Sequence, residues 1–149
     1  MRTLAALLVL VGTSRAQAPL NALEKAFQDS LTKVTLEGQS TRDGKDGVSP
    51  DRYDIEKVVK TGEDTWTFHV HASFHGNEMT VPLPVEVKWA GDTPVITLTD
   101  KSMAGMGTYT ARVVVYRNQY AGTWSGKNGG GKVFGKVIKQ SPDAAKPSQ

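Results

Sequence analysis

TWTFHVHASFHGNEMTVPLPVEVKW, Thr65–Trp89, alternates twice. Trp66, Phe68, Val70, Ala72 and Phe74 fall on one parity, and Thr67, His69, His71, Ser73 and His75 on the other. Farther along, Met79, Val81, Leu83, Val85, Val87 and Trp89 again share a parity. Successive side chains of a strand point to opposite faces, so each half reads as a strand with one apolar face. His75-Gly76-Asn77 reads as the turn between them. Pro82 and Pro84 lack N–H donors on one side of the second strand, which marks it as an edge or the seam of an imperfectly closed barrel.

The same period extends outward in both directions. Thr32–Gln39 and Arg52–Lys60 precede, the latter with Tyr53, Ile55 and Val59 on one face. Val95–Thr99, Thr108–Arg117, Gln119–Trp124 and Lys132–Lys139 follow. Turn signals separate them, including Ala90–Pro94 and Asn118-Gln119, and Asp100–Gly107 reads as a loop. About eight short strands at regular spacing predict an all-β fold. Short connections favour an antiparallel up-and-down barrel or barrel-like sheet. One segment breaks the period. Leu20, Leu23, Phe27 and Leu31 recur at helical spacing, and Asn21 with Glu24 forms a capping-box pattern, predicting a short N-terminal helix.

Ahead of that helix, Met1-Arg2, the apolar run Leu4–Gly12 and the small residues Ala16 and Ala18 have the layout of a secretory signal peptide over residues 1–18. Cleavage is expected after Ala18 or Ala16. The run is too short for a permanent membrane helix, which needs about 20 residues. Export makes the location periplasmic or secreted. The single domain is expected over 19–140, and the polar, proline-containing segment 141–149 is expected to be a disordered tail. Without cysteine there is no disulfide, so stability rests on packing.

The chain holds 18 basic and 15 acidic residues, two of the basic ones within the leader. Their distribution is uneven. Residues 51–100 carry four basic and nine acidic groups; residues 101–149 carry eight basic and one acidic. Such polarity either steers an anionic partner or offsets across adjacent strands. No nucleic-acid reader motif accompanies it, so nucleic acid is not an expected partner.

Two glycine-rich stretches invite and fail a functional reading. GKNGGGKV, Gly126–Val133, approaches a phosphate-binding loop, but Val133 replaces the hydroxyl residue and a strand follows instead of a helix. Asn128-Gly129 reads instead as a hairpin signal. DGKDG, Asp43–Gly47, lacks the repeated oxygen ligands of a calcium loop.

The ending GTYTARVVVYRNQYAGTWSGKNGGGKVFGKV, Gly107–Val137, resembles small exported bacterial proteins of planctomycete type. These carry a G-T-W…G-G…G-K/R-[IV] ending and are similar to lipocalin-like (calycin) barrels. The resemblance covers the last third to half of the chain and implies a barrel able to hold a ligand. Ser125-Gly126 and Gly131-Lys132 stand where that family often carries histidines, so no metal role transfers to them.

Three functional readings follow. In the leading one the protein is non-enzymatic: an exported monomer that binds a small apolar molecule or an envelope protein. Trp66, Phe68, Trp89, Tyr109 and Trp124 would line the interior. In the second, His69 and His71 start a divalent metal site for an enzyme, because strand residues i and i+2 lie about 6.5–7 Å apart on one face. His75, Glu78 and Glu86 are the candidate further ligands. In the third, the core is filled and the domain is a protein-interaction or inhibitor module. No nucleophile elbow or Cys–His pair is present, and Asp51/Asp54 and Glu63/Asp64 read as exposed turn carboxylates.

Overall fold

Eight antiparallel strands in simple meander order close on themselves in the computed structural model, which describes residues 18–74, 77–103 and 107–141. The helix α1 (Ala22–Leu31) precedes them. The strands are β1 (Val34–Ser40), β2 (Ser49–Lys60), β3 (Thr65–Phe74), β4 (Asn77–Ala90), β5 (Thr93–Met103), β6 (Gly107–Tyr116), β7 (Gln119–Gly126) and β8 (Gly129–Lys139). β1 pairs with β8 from Val34↔Lys139 to Ser40↔Val133 and thereby closes the barrel. The predicted signal peptide, His75 and most of the tail lie outside the described residues. No described helix is long and apolar enough to cross a membrane.

α1 plugs one end. Asn21 Oδ1 accepts from the Glu24 amide at 2.9 Å and Glu24 Oε2 accepts from the Asn21 amide at 3.1 Å, the reciprocal bonds of a capping box. Phe27 (3% exposed) and Leu31 (0%) enter the core, whereas Leu23 stays exposed. Phe27 meets Trp66 edge-on at 5.0 Å and Trp89 at 5.7 Å between ring centroids, an arrangement favoured by ring quadrupoles. Three polar straps fix the helix across the opening. Gln28 Nε2 donates to the Val58 carbonyl, Lys60 Nζ to Glu24, and Lys139 Nζ to the carbonyls of Asp29 and Thr32. The last places a cation at the helix C-terminus, where the backbone dipole favours it.

Below the plug, Val34, Ile55, Val58, Trp66, Val85 and Val87 are all but fully buried. One expectation changes here. Tyr53, Ile55 and Val59 do not share a face: Val58 is buried and Val59 is exposed. A bulge between Ile55 and Lys57 inserts one residue and reverses the parity of the strand. A second bulge lies between Leu98 and Lys101, with Asp100 at φ 48°, and it carries β5 through to Met103, part of the segment expected to be a loop. The β6–β7 turn is centred on Arg117 and Asn118, both at positive φ. The β7–β8 turn is centred on Lys127-Asn128, and only its Gly129 takes positive φ.

The proline seam is present. β4 pairs with β3 from Asn77 to Glu86, but its register with β5 runs only from Glu86 to Ala90. The Val87 amide bonds the Asp64 carbonyl on the β3 side, so even-numbered residues of β4 turn their N–H positions toward β5. Pro82 and Pro84 therefore remove donors from the side that has no β5 partner among the described residues.

Candidate functional site at the open end of the barrel

The end opposite α1 has no helical plug among the described residues. Inward apolar side chains there and in mid-barrel, Leu36, Val70, Leu83, Ala111, Val113 and Trp124, pack against the core yet remain half-buried. An eight-stranded barrel is just wide enough to be filled by its own side chains or to hold one small ligand. Here the rings around Phe27 are tightly packed at the helix end, although a cleft of about 210 Å³ remains between α1 and the rim at Trp89 and Val115. The inward side chains of the open end stay half-buried.

Polar groups gather in this opening. Asp51 and Tyr53 occupy alternate positions of β2, on the inward parity shared with Ile55. The Tyr53 hydroxyl donates to Asp51 Oδ2 at 2.9 Å. Burial is the main reason the Tyr53 hydroxyl is held well above the ordinary tyrosine pKa, and the Asp51 charge adds to it. Tyr120 is likewise pushed up to about 12, first by burial and then by the charges of Asp51 and Glu37. The reading of Asp51/Asp54 as exposed turn carboxylates is corrected. Both lie within β2, Asp51 half-buried and Asp54 accepting from Thr35 Oγ1 at 2.5 Å.

Tyr109 and Trp124 face each other on β6 and β7 at 6.3 Å. Arg42 lies 5.8 Å from the centre of the Trp124 ring, a cation–π contact. The segment around it is tied down, with the Thr41 amide bonded to the Lys132 carbonyl and the Asp43 amide to the Gly130 carbonyl. Gly131 permits this approach, because a β-carbon there would stand 1.9 Å from the Thr41 carbonyl oxygen. A cleft of about 240 Å³ opens beside Trp124 at the rim, lined by Ala111, Gly131 and Asp43 and by the outward-facing Arg112, Thr123 and Lys132. Trp124 Nε1 and Tyr120 Oη are buried without a hydrogen-bond partner among the described residues.

The five aromatics proposed to line an interior separate into two groups. Trp66, Phe68 and Trp89 pack around Phe27 at the plug. Tyr109 and Trp124 lie at the opening. Sequence reasoning missed Arg42 and placed Asp51 in an exposed turn instead of on the inward face of β2. Asp51 could have been found by carrying strand parity two residues back from Tyr53.

His69 and His71 point outward, paired in register with Pro82 and Thr80 on β4. Among the described residues no group of three or more His, Cys, Asp or Glu is placed to hold a metal. Glu86 is paired with Thr65, at the other end of the hairpin. The metal-enzyme reading therefore lacks its remaining ligands within the described residues.

Comparison with known protein families, curated proteins and solved structures returns no match. The closed eight-stranded barrel is compatible with the calycin-like shape that the C-terminal motif implied.

Proposed function

We propose that the protein is an exported, non-enzymatic binding protein that holds a small, largely apolar molecule at the open end of a lipocalin-like barrel. The observation carrying this reading is the asymmetry of the interior. Phe27 is buried against Trp66 and Trp89 at one end, while Ala111, Val113 and Trp124 are only half-buried toward the other. The size of the cleft limits the ligand. A cavity of about 150 Å³ accepts one benzene ring, and drug-sized molecules occupy about 300–1,000 Å³. At about 240 Å³ the cleft suits a body of one or two rings and not a long-chain lipid. Trp124 Nε1 is a donor in want of an acceptor, so a carbonyl or hydroxyl on the ligand is favoured once the Arg42 segment yields.

The test pairs native mass spectrometry of protein from the exported fraction with calorimetric titration by 1-naphthol. The Ala111→Trp variant, which fills the cleft, is the control. A retained small organic mass, or naphthol binding, that disappears in Ala111→Trp supports the reading. A bare mass together with no naphthol binding, or binding unchanged in a folded Ala111→Trp protein, overturns it.

A further inference from the structure

The outer wall of β6, β7 and β8 has an ordered surface that borders the ligand cleft and shares Arg112, Thr123 and Lys132 with its lining. Between Lys101 and Ser141 the sequence has seven cations and no carboxylate. None of the seven forms an ion pair with a carboxylate among the described residues. Strand register arranges this wall in rows. Arg112, Thr123 and Lys132 lie side by side across the three strands. The next row is Val114, Ala121 and Phe134, continued by Val95 on β5. Beyond it run Tyr116, Gln119 and Lys136. An apolar row thus lies between two rows that carry cations.

The apolar members are unusually open for large side chains: Val114 is 40% exposed, Phe134 42%, Ile138 44% and Tyr116 51%. The Arg117 guanidinium sits 5.2 Å from the centre of the Tyr116 ring, a cation beside an aromatic at the rim of the wall. Elsewhere some cations are paired: Lys88 on β4 with Asp64 at 2.5 Å, and Lys25 on α1 with Asp29 at 2.9 Å. Two described carboxylates border the wall: Glu37, 3.9 Å from Arg52 on β2, and Asp43, which shares the cleft lining with Arg112 and Lys132.

We propose that this wall docks on an anionic lipid surface. The charge is complementary, and the apolar row is placed to enter the headgroup region while lysine stems reach the phosphates around it. Lys132 and Lys136 have no fixed side-chain hydrogen bonds among the described residues, which suits mobile headgroups better than one rigid protein epitope. The wall shares Arg112, Thr123 and Lys132 with the cleft, but the proposal rests on charge and strand register and needs no ligand in the cleft.

The experiment is flotation of the full chain with phosphatidylcholine vesicles, with and without phosphatidylglycerol, at low and high salt. Binding is expected only with phosphatidylglycerol, and salt should weaken it. Lys132→Glu/Lys136→Glu should lower the affinity by more than about tenfold. Phe134→Ser should weaken binding while leaving its salt dependence, whereas Lys57→Glu, an exposed charge change on β2, should leave most binding intact. Absence of flotation at low salt overturns the proposal, as does an equal loss in Lys57→Glu and the wall variant. So does retention on polyglutamate without flotation, which would assign the wall to an acidic macromolecule.

Discussion

The Tyr120 hydroxyl lies against the backbone of Gly38, where a β-carbon would stand 2.7 Å from that oxygen and 2.0 Å from the carbonyl oxygen of Phe134. Gly38 and Gly135 are register partners on β1 and β8, and Tyr120 is the register partner of Gly135 on β7. An aromatic ring beside paired glycines is a recurring way of filling the place where a barrel bends sharply. Gly38→Ala should therefore destabilise the protein by about 2–3 kcal/mol, measured as a lower urea midpoint. The tighter clash is with backbone, so Tyr120→Phe should not rescue it. By itself Tyr120→Phe should be neutral or stabilising by about 1 kcal/mol, because it removes a buried hydroxyl with no partner among the described residues. A large loss in Tyr120→Phe would mean that the hydroxyl has a partner.

The same tyrosines set the alkaline limit. Tyr53 and Tyr120 ionise less readily in the folded barrel than in the unfolded chain, where the value is near 10. Between pH 10 and about 12 the unfolded chain has released protons that the fold retains, so stability falls as pH rises. It is level below that window. Urea midpoints should decline from pH 10 upward, and Tyr53→Phe/Tyr120→Phe should flatten the decline. An unchanged slope in the double variant would show that other groups cause it.

Acid acts at the other end of the barrel. The Lys60 hydrogen bond is the largest cause holding the Glu24 pKa below its ordinary 4.5, and the bond to the Asn21 backbone assists. A lowered carboxylate pKa contributes stability above the unfolded value and loses it as pH falls through the folded one. The helix strap should thus weaken from about pH 4.5 downward. Glu24→Gln should cost about 1–2 kcal/mol at neutral pH and remove this acid dependence. Tryptophan fluorescence, to which Trp66 and Trp89 contribute beside Phe27, should shift toward the solvent-exposed value below about pH 4.5 in the parent and lose that acid dependence in Glu24→Gln. Phe27→Ala itself should cost about 3–5 kcal/mol. An acid profile identical in Glu24→Gln and the parent would remove Glu24 from the account.

What the sequence showed and hid divides along physical lines. Alternation in Thr65–Trp89, the Asn21–Glu24 capping pattern and the prolines of β4 are local signals, and each corresponds to a feature of the fold. The bulges at Ile55/Lys57 and Leu98/Lys101 are set by pairing with distant strands, so no local period announced them. The first put Val58 instead of Val59 into the core. The composition of the site was equally divided. Tyr109 and Trp124 could be named as inward aromatics, but that Phe27 packs on Trp66, Phe68 and Trp89 depends on where the helix docks. The Arg42 contact with Trp124 depends on a loop crossing to β8, a closure across about ninety residues that periodicity does not encode.

The seam yields the last prediction. Edges with unpaired backbone groups recruit other strands, and proline prevents this by removing donors. On β4 the two prolines stand where no β5 partner is described, and β5 from Leu98 to Met103 pairs with β6 alone. Pro82→Thr/Pro84→Thr restores two N–H groups at that opening. The outcome depends on which acceptors reach them first. If β4 and β5 could zip together, the barrel would tighten without changing its mass. The Asp100 bulge, held by the Thr110 hydroxyl, opposes such a zip by bending β5 at the point where pairing would have to continue. The free donors should then pair with a second copy. The double variant is expected to dimerise in a concentration-dependent manner by analytical ultracentrifugation, while the parent does not. A strictly monomeric variant with a raised melting temperature would instead mean that the prolines hold the seam open within one barrel.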